Sequence, residues 1–353
     1  MNETVATRRV AFADLAAFIA RALAAAGLPK DHAETVAELM AEADLQGSDG
    51  HGVFRLPHYV RRIRAGGINL NPDIRVARER GATALVDGDN GMGHLVMKRA
   101  AEIAIDKAAA QGVGWVGAFN SNHAGPASLY ALMPAKRGMI GLYLAVGNAN
   151  HLPPWGGTAM LLSTNPIAIA VPADTSAPVM LDMATTVAAY GKVKTAAQRG
   201  EAMPEGWMID REGKPLTDPK RADEGFLLPI GGPKGYGLSL MFGLLAGTLN
   251  GAAFGRGTVD FNADDVTPTN TGQAVMAIDI AAFGDPAGFK AEVERVRADI
   301  KASPTLPGFD EVRLPGERTA RIREERARAG IPLHGQLDGA LRKVADELGV
   351  AAL

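Results

Sequence analysis

Seven histidines are spread over 353 residues, and three of them stand in loops built from glycine, asparagine, alanine and other small residues. They are His51 in Asp49-Gly50-His51-Gly52, His123 in Ser121-Asn122-His123-Ala124-Gly125, and His151 in Asn148-Ala149-Asn150-His151. Imidazole changes charge near neutral pH, and small neighbours let a ring approach a ligand, so each is a candidate for proton transfer. A solvated loop histidine is the plain alternative for any one of them. Four residues after His51 comes Arg55, and four further on comes Tyr59. A helical turn starting at Gly52 would align the three along one side, giving a proton donor, a guanidinium able to grip a carboxylate, and a phenol. A surface ion pair for Arg55 and simple packing for Tyr59 account for the same residues.

Two further segments place charge where ligands often bind. Asp182, in Leu181-Asp182-Met183-Ala184-Thr185-Thr186, closes an apolar strand from Pro178 and serves either as a site acid or as a helix N-cap. Pro229 to Gly237 reads Pro-Ile-Gly-Gly-Pro-Lys-Gly-Tyr-Gly ahead of an apolar helix. Glycines around Lys234 would let its ammonium and the nearby amides meet an anion at a helix start, unless the segment is only a glycine-rich turn.

Some chemistry is missing. Gly91-Met92-Gly93 and Gly235-Tyr236-Gly237 lack the third glycine of the Gly-x-Gly-x-x-Gly fingerprint, and there is no phosphate-binding Gly-Lys-Ser/Thr loop. A dinucleotide would therefore need another frame. The absence of cysteine removes disulfides, thiolate nucleophiles and iron–sulfur clusters. A metal-dependent hydrolase or lyase using His51, His123, His151 and Asp182 is a rival reading, but no His-x-x-x-His or His-Glu-x-x-His spacing supports it, and no metal is expected.

The elements that must hold these residues read as follows. Phe12, Leu15, Ile19, Ala22 and Leu23 share one helical face; after Pro29 and a capping Asp31, Val36 and Met40 begin a second helix that Gly47 ends. From Ala82 the texture turns to short β-rich runs: Ala84 to Val86, Val113 to Phe119, Ile140 to Val146, Ile167 to Val171 and Val275 to Ile280. A helix over Val96 to Gln111 separates two of them, while others are joined by loops alone, so the fold class is α+β. Leu238 to Phe254 is apolar, but Gly243, Gly247, Asn250 and Gly251 interrupt it, which favours a buried core helix over a membrane span. Phe289, Val293, Val296 and Ile300 mark an amphipathic helix. Charged helices from about Glu317 and Gly335 are expected to fold back onto the first pair. A net charge of −2 with scattered lysine and arginine leaves no footprint for nucleic acid or anionic lipid. Met1 to Val10 carries no apolar leader, so the expectation is a cytoplasmic protein with no membrane partner.

In this order the segments resemble the malate/L-lactate dehydrogenase family of the non-Rossmann type, which includes ureidoglycolate dehydrogenase, 2,3-diketogulonate reductase, sulfolactate dehydrogenase and Δ1-piperideine-2-carboxylate reductase. The match runs from Ala43-Asp44 to Pro315-Gly316-Glu317. Its strongest pieces are His51-Gly52-Val53 with Arg55, Ser121-Asn122-His123, Thr164-Asn165-Pro166, Asp182 to Thr186 with Gly191-Lys192-Val193, Trp207 with Asp218-Pro219, and Lys234 to Leu238. The resemblance implies a mixed, largely antiparallel sheet with helices in an NAD(P)-binding and catalytic domain (77–317). It also implies a helical lobe built from both termini (1–76 with 318–353), and a homodimer. The implied activity is hydride transfer between NAD or NADP and a small 2-oxo or 2-hydroxy acid, a small-molecule carboxylate of malate, lactate, ureidoglycolate or sulfolactate type. A cyclic or N-substituted imino acid is the alternative substrate.

Carried over by position, the proton-transferring histidine falls on His123, the substrate-facing histidine on His51, and the carboxylate-binding arginine on Arg55 with Tyr59 beside it. Cofactor contacts fall on Asn148, Asp182, Met183, Ala184, Lys192, Lys234, Gly235, Gly316, Glu317 and Arg318. Two departures stand out: Gly50 replaces a serine able to touch substrate, and Ser163 replaces the glycine that usually precedes Thr-Asn-Pro. The first leaves the substrate open; the second tunes a turn.

Overall fold

The computed structural model describes residues 8–353, the side chains of residues 198 and 199 excepted; the first seven residues, over which the sequence shows no apolar leader, lie outside the described residues. From the amino end, β1 (Arg8–Val10) leads into α1 (Phe12–Ala25) and α2 (Lys30–Leu45), and a single 3-10 turn over Val53–Arg55 opens α3 (Leu56–Arg64). The central run is β2 (Arg75–Arg80), β3 (Thr83–Asp87), α4 (Gly93–Gln111), β4 (Val113–Ser121), α5 (Ser128–Ala135), β5 (Ile140–Ala145), β6 (Ile167–Val171) and β7 (Val179–Met183). It continues through α6 (Tyr190–Arg199), β8 (Met208–Asp210), β9 (Gly225–Leu227), α7 (Pro233–Ala246) and β10 (Thr271–Ile278). The chain closes with α8 (Pro286–Lys301), α9 (Glu317–Ala329), β11 (Ile331–Leu333) and α10 (Gly335–Leu348).

Seven strands form the main sheet in the order β2-β3-β4-β10-β5-β6-β7. Only the β3–β4 pair, bridged by α4, is parallel; every other pairing is antiparallel. The α+β class and the largely antiparallel sheet are therefore as expected. A late strand, β10, fills the centre, and its Thr-Gly-Gln-Ala-Val-Met-Ala-Ile sequence is small and apolar because neighbours flank it on both sides. Alanines of α4 (Ala100, Ala101, Ala104, Ala108) lie on this sheet with Val86, Val116 and Val275 in one core.

A second core joins both chain ends. Leu15, Phe18, Ile19, Ala22 and Leu23 of α1 and Val36 and Met40 of α2 pack with Leu341 and Val344 of α10, while β1 pairs with β11. The terminal helices do fold back, starting at Glu317 and Gly335. Met92, Leu95 and Phe261 from the sheet region complete this core, tying it to the loops that carry the site.

Three expectations need correction. Asp31 does not cap α2: Pro29 is the N-cap and makes no side-chain cap bond, and Asp31 sits in the first turn, favoured there by the helix dipole. The apolar helix begins at Pro233, ends at Ala246, and is not buried all round. Its small residues Gly235, Ser239, Gly243 and Ala246 face inward, which leaves Leu238, Met241 and Leu244 40%, 52% and 37% exposed. The face Phe289, Val293, Val296, Ile300 of α8 is likewise without a buried residue. Among the described residues, no helix is long and apolar enough to cross a membrane.

Candidate active site

Asp44, in the last turn of α2, sets the loop that follows. Its carboxyl accepts the Val53 amide at 2.7 Å, and a side chain at Gly52 would overlap that carboxyl, its Cβ falling 2.2 Å from Cγ. Arg326 of α9 donates to the Asp44 carbonyl and to the Asp49 carboxylate, locking the loop's start. Burial pushes Asp44 up to about 8, so it holds the Val53 amide as a largely neutral acid near pH 7. The loop then delivers His51 and Arg55 to one place.

Arg55 Nε donates to the Gly50 carbonyl at 2.9 Å, and Nη1 donates to Asn262 Oδ1 at 3.2 Å. One turn on in α3, Tyr59 is buried with its hydroxyl 2.5 Å from His123 Nδ1. Of the expected alignment only Arg55 and Tyr59 are helical, one turn apart where the 3-10 turn runs into α3; His51 precedes Gly52, whose backbone is not helical, and reaches the site from the loop.

His123 enters from the far end of β4. Its neighbour Asn122 is buried and saturated: Nδ2 donates to Asn90 Oδ1 and to the Gly91 carbonyl, both at 2.9 Å, and Oδ1 accepts from Thr269 Oγ1 at 3.1 Å. Gln273 of β10 donates to the Asn122 carbonyl at 3.1 Å. The His123 ring is then stacked between His51, with centroids 5.8 Å apart, and Phe261, at 5.4 Å. The Gly125 amide points at His123 Nδ1 from 3.4 Å. An amide can only donate, and burial keeps Tyr59 a phenol by raising its pKa, so Nδ1 is an acceptor and the ring proton sits on Nε2. Burial, then the Arg55 charge, then His51, hold His123 well below its ordinary pKa. His51 is pushed down to about 4 by burial, with Arg55 adding to it.

The supporting shell was not foreseen from the sequence. His58 Nε2 donates to the Phe261 carbonyl at 2.6 Å while Nδ1 accepts from Arg61 at 2.6 Å, pinning the segment that carries Phe261 and Asn262. Arg62, with no exposed surface, donates to the Thr267 carbonyl at 2.9 Å and lies 4.9 Å over the Phe261 ring. His94, fully buried in the first turn of α4, sets its ring edge-on to Tyr59 at 5.7 Å. The only early signal was three polar side chains, His58, Tyr59 and Arg62, crowded on the apolar face of one short helix.

Other expected residues sort into two groups. Asn148 joins the His123 side: Nδ2 donates to Thr271 Oγ1 at 2.7 Å and its carbonyl accepts the Phe261 amide at 2.9 Å. Asp182, Met183, Ala184, Lys234, Gly235, Gly316, Glu317 and Arg318 lie along the edge strand β7 and its extension. Gly316 packs on Met180, whose amide donates to the Pro315 carbonyl at 3.2 Å. Thr185 and Thr186 pair with Ile230 and Pro229 just before α7, which puts Lys234 in that helix's first turn. A side chain at Gly235 would strike the Ile230 carbonyl at 2.1 Å, so its role here is close packing. Lys192 stands in the first turn of α6, and Glu317 is tied to Lys301 at 3.1 Å.

Asp182 is not an N-cap: it stands in β7, and the N-cap of α5 is Ala127. Its Oδ2 accepts the Ser128 amide of α5 at 3.0 Å, and burial raises its pKa. That bond links β7 to the segment just past His123. His151 belongs elsewhere, stacked on Tyr190 at 4.2 Å. Among the described residues no three of His, Asp and Glu converge as metal ligands, so the set His51, His123, His151 and Asp182 is not assembled.

The profile described as malate/L-lactate dehydrogenase matches residues 10–342. Malate dehydrogenase of Pyrococcus horikoshii is 40% identical over 348 residues, covering 96% of this chain and 95% of that protein. Its solved structure superposes with a TM-score of 0.90 at 38% identity, over 98% of this chain and 97% of that one. L-sulfolactate dehydrogenase of Methanothermobacter thermautotrophicus is 40% identical, covering 93% of this chain and 94% of that protein. Ureidoglycolate dehydrogenase (NAD(+)) of Escherichia coli O157:H7 is 35% identical, covering 88% of each.

Proposed function

The chain belongs to the malate/L-lactate dehydrogenase family and is an NAD(P)-linked oxidoreductase of 2-hydroxy acids; we propose that His123 moves the proton, that Arg55 holds the C1 carboxylate, and that the dinucleotide lies along β7. The observation carrying this reading is the Tyr59–His123 pair at 2.5 Å beside Arg55 and His51. When bound, the nicotinamide supplies or accepts the hydride at C2. His123 presents Nε2 to the C2 oxygen, with Tyr59 hydrogen-bonded at Nδ1 on the other side of the ring. A carboxylate on Arg55 cancels the charge that depresses His123, so substrate binding itself raises the histidine's affinity for the proton it donates to the new alkoxide. The donating form is the imidazolium, whose Nδ1–H turns to the Tyr59 oxygen; once Nε2 has given up its proton the ring is neutral with Nε2 bare, and in oxidation that nitrogen takes the proton back.

The edge of β7 fits a dinucleotide's diphosphate. α6, α7 and α9 start at Ala189, Gly232 and Gly316 without a side-chain cap; the Lys192, Lys234 and Glu317 amides turn back on the Ala189, Gly231 and Leu314 carbonyls, which leaves the remaining amides of each first turn for an anion. Lys192, Lys234 and Arg318 are exposed in those first turns. The proposal places the site at the seam of a helical lobe (1–76 with 318–353), which gives His51, Arg55 and Tyr59, and a cofactor and catalytic domain (77–317), which gives His123. A cytoplasmic homodimer belongs to the same reading; the outward apolar face of α7 is a surface a second copy could cover.

The test is the loss of NADH and NADPH absorbance against pyruvate, oxaloacetate, sulfopyruvate and Δ1-piperideine-2-carboxylate. Turnover of a 2-oxo acid is expected. Turnover of the imine alone would reassign the substrate class, and no turnover with any of them would sink the reading.

A further inference from the structure

Asp260-Phe261-Asn262 has two sides. Phe261 stacks on His123, while Asp260 and Asn262, one position to either side, line a cavity of about 320 Å³. Asn262 also accepts from Arg55, so this cavity begins where the C1 carboxylate is held. Its far wall is the stacked pair His151 and Tyr190, with Lys194 one turn further along α6 and its ammonium 5.5 Å from the Tyr190 ring centroid.

Neither acid lining the cavity forms an ion pair with Lys194, although Asp260 favours its charge from a distance. Asp260 turns Oδ1 to the backbone amide of Asn262 at 2.9 Å and to its side-chain Nδ2 at 3.3 Å, and Asp223 is exposed on a short turn. Among the described residues Lys194 forms no ion pair; its aromatic neighbour is its one polar contact. Arg55 is near enough to disfavour the charge on Lys194, second to desolvation and against Asp260. Lys194 lines this space together with Asp223 and Asp260, Arg55 adjoins it through Asn262, and neutral His151 is a hydrogen-bonding group in its far wall.

Building on the dehydrogenase reading, we infer that Lys194 is a specificity-determining residue, binding the distal acidic group of a dianionic 2-oxo or 2-hydroxy acid whose C1 carboxylate lies on Arg55. A carboxylate or sulfonate one carbon beyond C2 reaches into the cavity and meets the ammonium. A monoanionic substrate leaves that ammonium unmet. Partner chemistry rather than size sets the preference, because a charge-assisted contact in a confined site is lost whole when the distal anion is missing.

The experiment measures kcat/KM for oxaloacetate and for 2-oxobutyrate, near-equal in length but differing by the distal charge, in the wild type, K194M and K194E. Lys194 is exposed on its helix, and thermal unfolding checks that both variants fold. The wild type should prefer oxaloacetate. That preference should fall roughly ten- to a hundredfold in K194M and further in K194E, with dinucleotide affinity unchanged. An unchanged ratio, or a loss that appears in dinucleotide affinity instead, overturns the assignment. So does a wild type that favours a tail ending in a hydrogen-bond donor and loses that preference in D223N. If the wild type oxidises NAD(P)H with neither acid, the dehydrogenase reading itself fails and the inference falls with it.

Discussion

Around His123 most polar groups find partners inside the protein, the ring nitrogens of His94 and Nε of Arg62 being exceptions, whereas at the starts of α6, α7 and α9 Lys192, Lys234 and Arg318 are exposed. The first region is organised before any ligand arrives. Its geometry comes from Asn122, Gln273, His58 and Arg62, and its electrostatics from burial and one arginine. The second leaves donors unmet, as suits a long anionic ligand whose phosphates complete the bonding. Precise positioning at the reacting atoms and an open cationic edge for a dinucleotide are different demands, and under the proposed function a buried hydrogen-bond network serves the first and exposed cations at helix starts the second.

Substitutions should separate the two regions. H123A should lower turnover by about a hundred- to ten-thousandfold, because proton transfer is lost, while dinucleotide binding followed by fluorescence stays in place. Equal losses in both would show that the regions are one unit. R55A should act chiefly on KM for the 2-oxo acid, by roughly ten- to a hundredfold, since a carboxylate contact made in ground and transition state alike is uniform binding. A fall in kcat with KM unmoved would make Arg55 a transition-state group instead.

The buried centre also makes a pH prediction. His51, His58 and His151 are pushed down to about 4 by burial, His94 to about 3, and His123 well below its usual value. The fold refuses protons that the unfolded chain takes up below its ordinary histidine pKa of about 6.5, so stability present above that pH is lost as pH falls toward 4. Asp44, raised to about 8, works the other way: its contribution is complete at low pH and is lost as pH rises toward 8. Five imidazoles outweigh the two raised carboxyls, Asp44 and Asp182, and Tm should drop between pH 6.5 and 4. A flat Tm over that window would mean these rings stay wetter than their packing indicates. The smallest effect belongs to the open edge: K234A should weaken dinucleotide binding only about two- to fivefold, and added salt should shrink the difference.

What could be read in advance follows the same divide. His51, Arg55, Tyr59 and His123 carry loop and spacing signals, and they meet. Phe261 stacks on His123, and Thr269 and Gln273 hold its neighbour Asn122, yet they belong to a segment distant in sequence that the sheet order brings there, with β10 inserted between β4 and β5. No local period announces such an insertion. The helices were legible from their apolar faces, but α7 shows the limit of that signal: apolar content does not say which side is covered, and there the small residues took the inside. Asp182, weighed as a site acid or a helix N-cap, stands inside β7 and instead accepts the first amide of the sequence-distant α5, whose N-cap is Ala127.

The most direct measurement is single-turnover oxidation of enzyme-bound NADH or NADPH on mixing with oxaloacetate, comparing the wild type with H123A. The account predicts rapid loss of absorbance in the wild type, and in the variant a cofactor that binds but is oxidised at least a hundredfold more slowly. Oxidation by H123A at a rate near that of the wild type would contradict it.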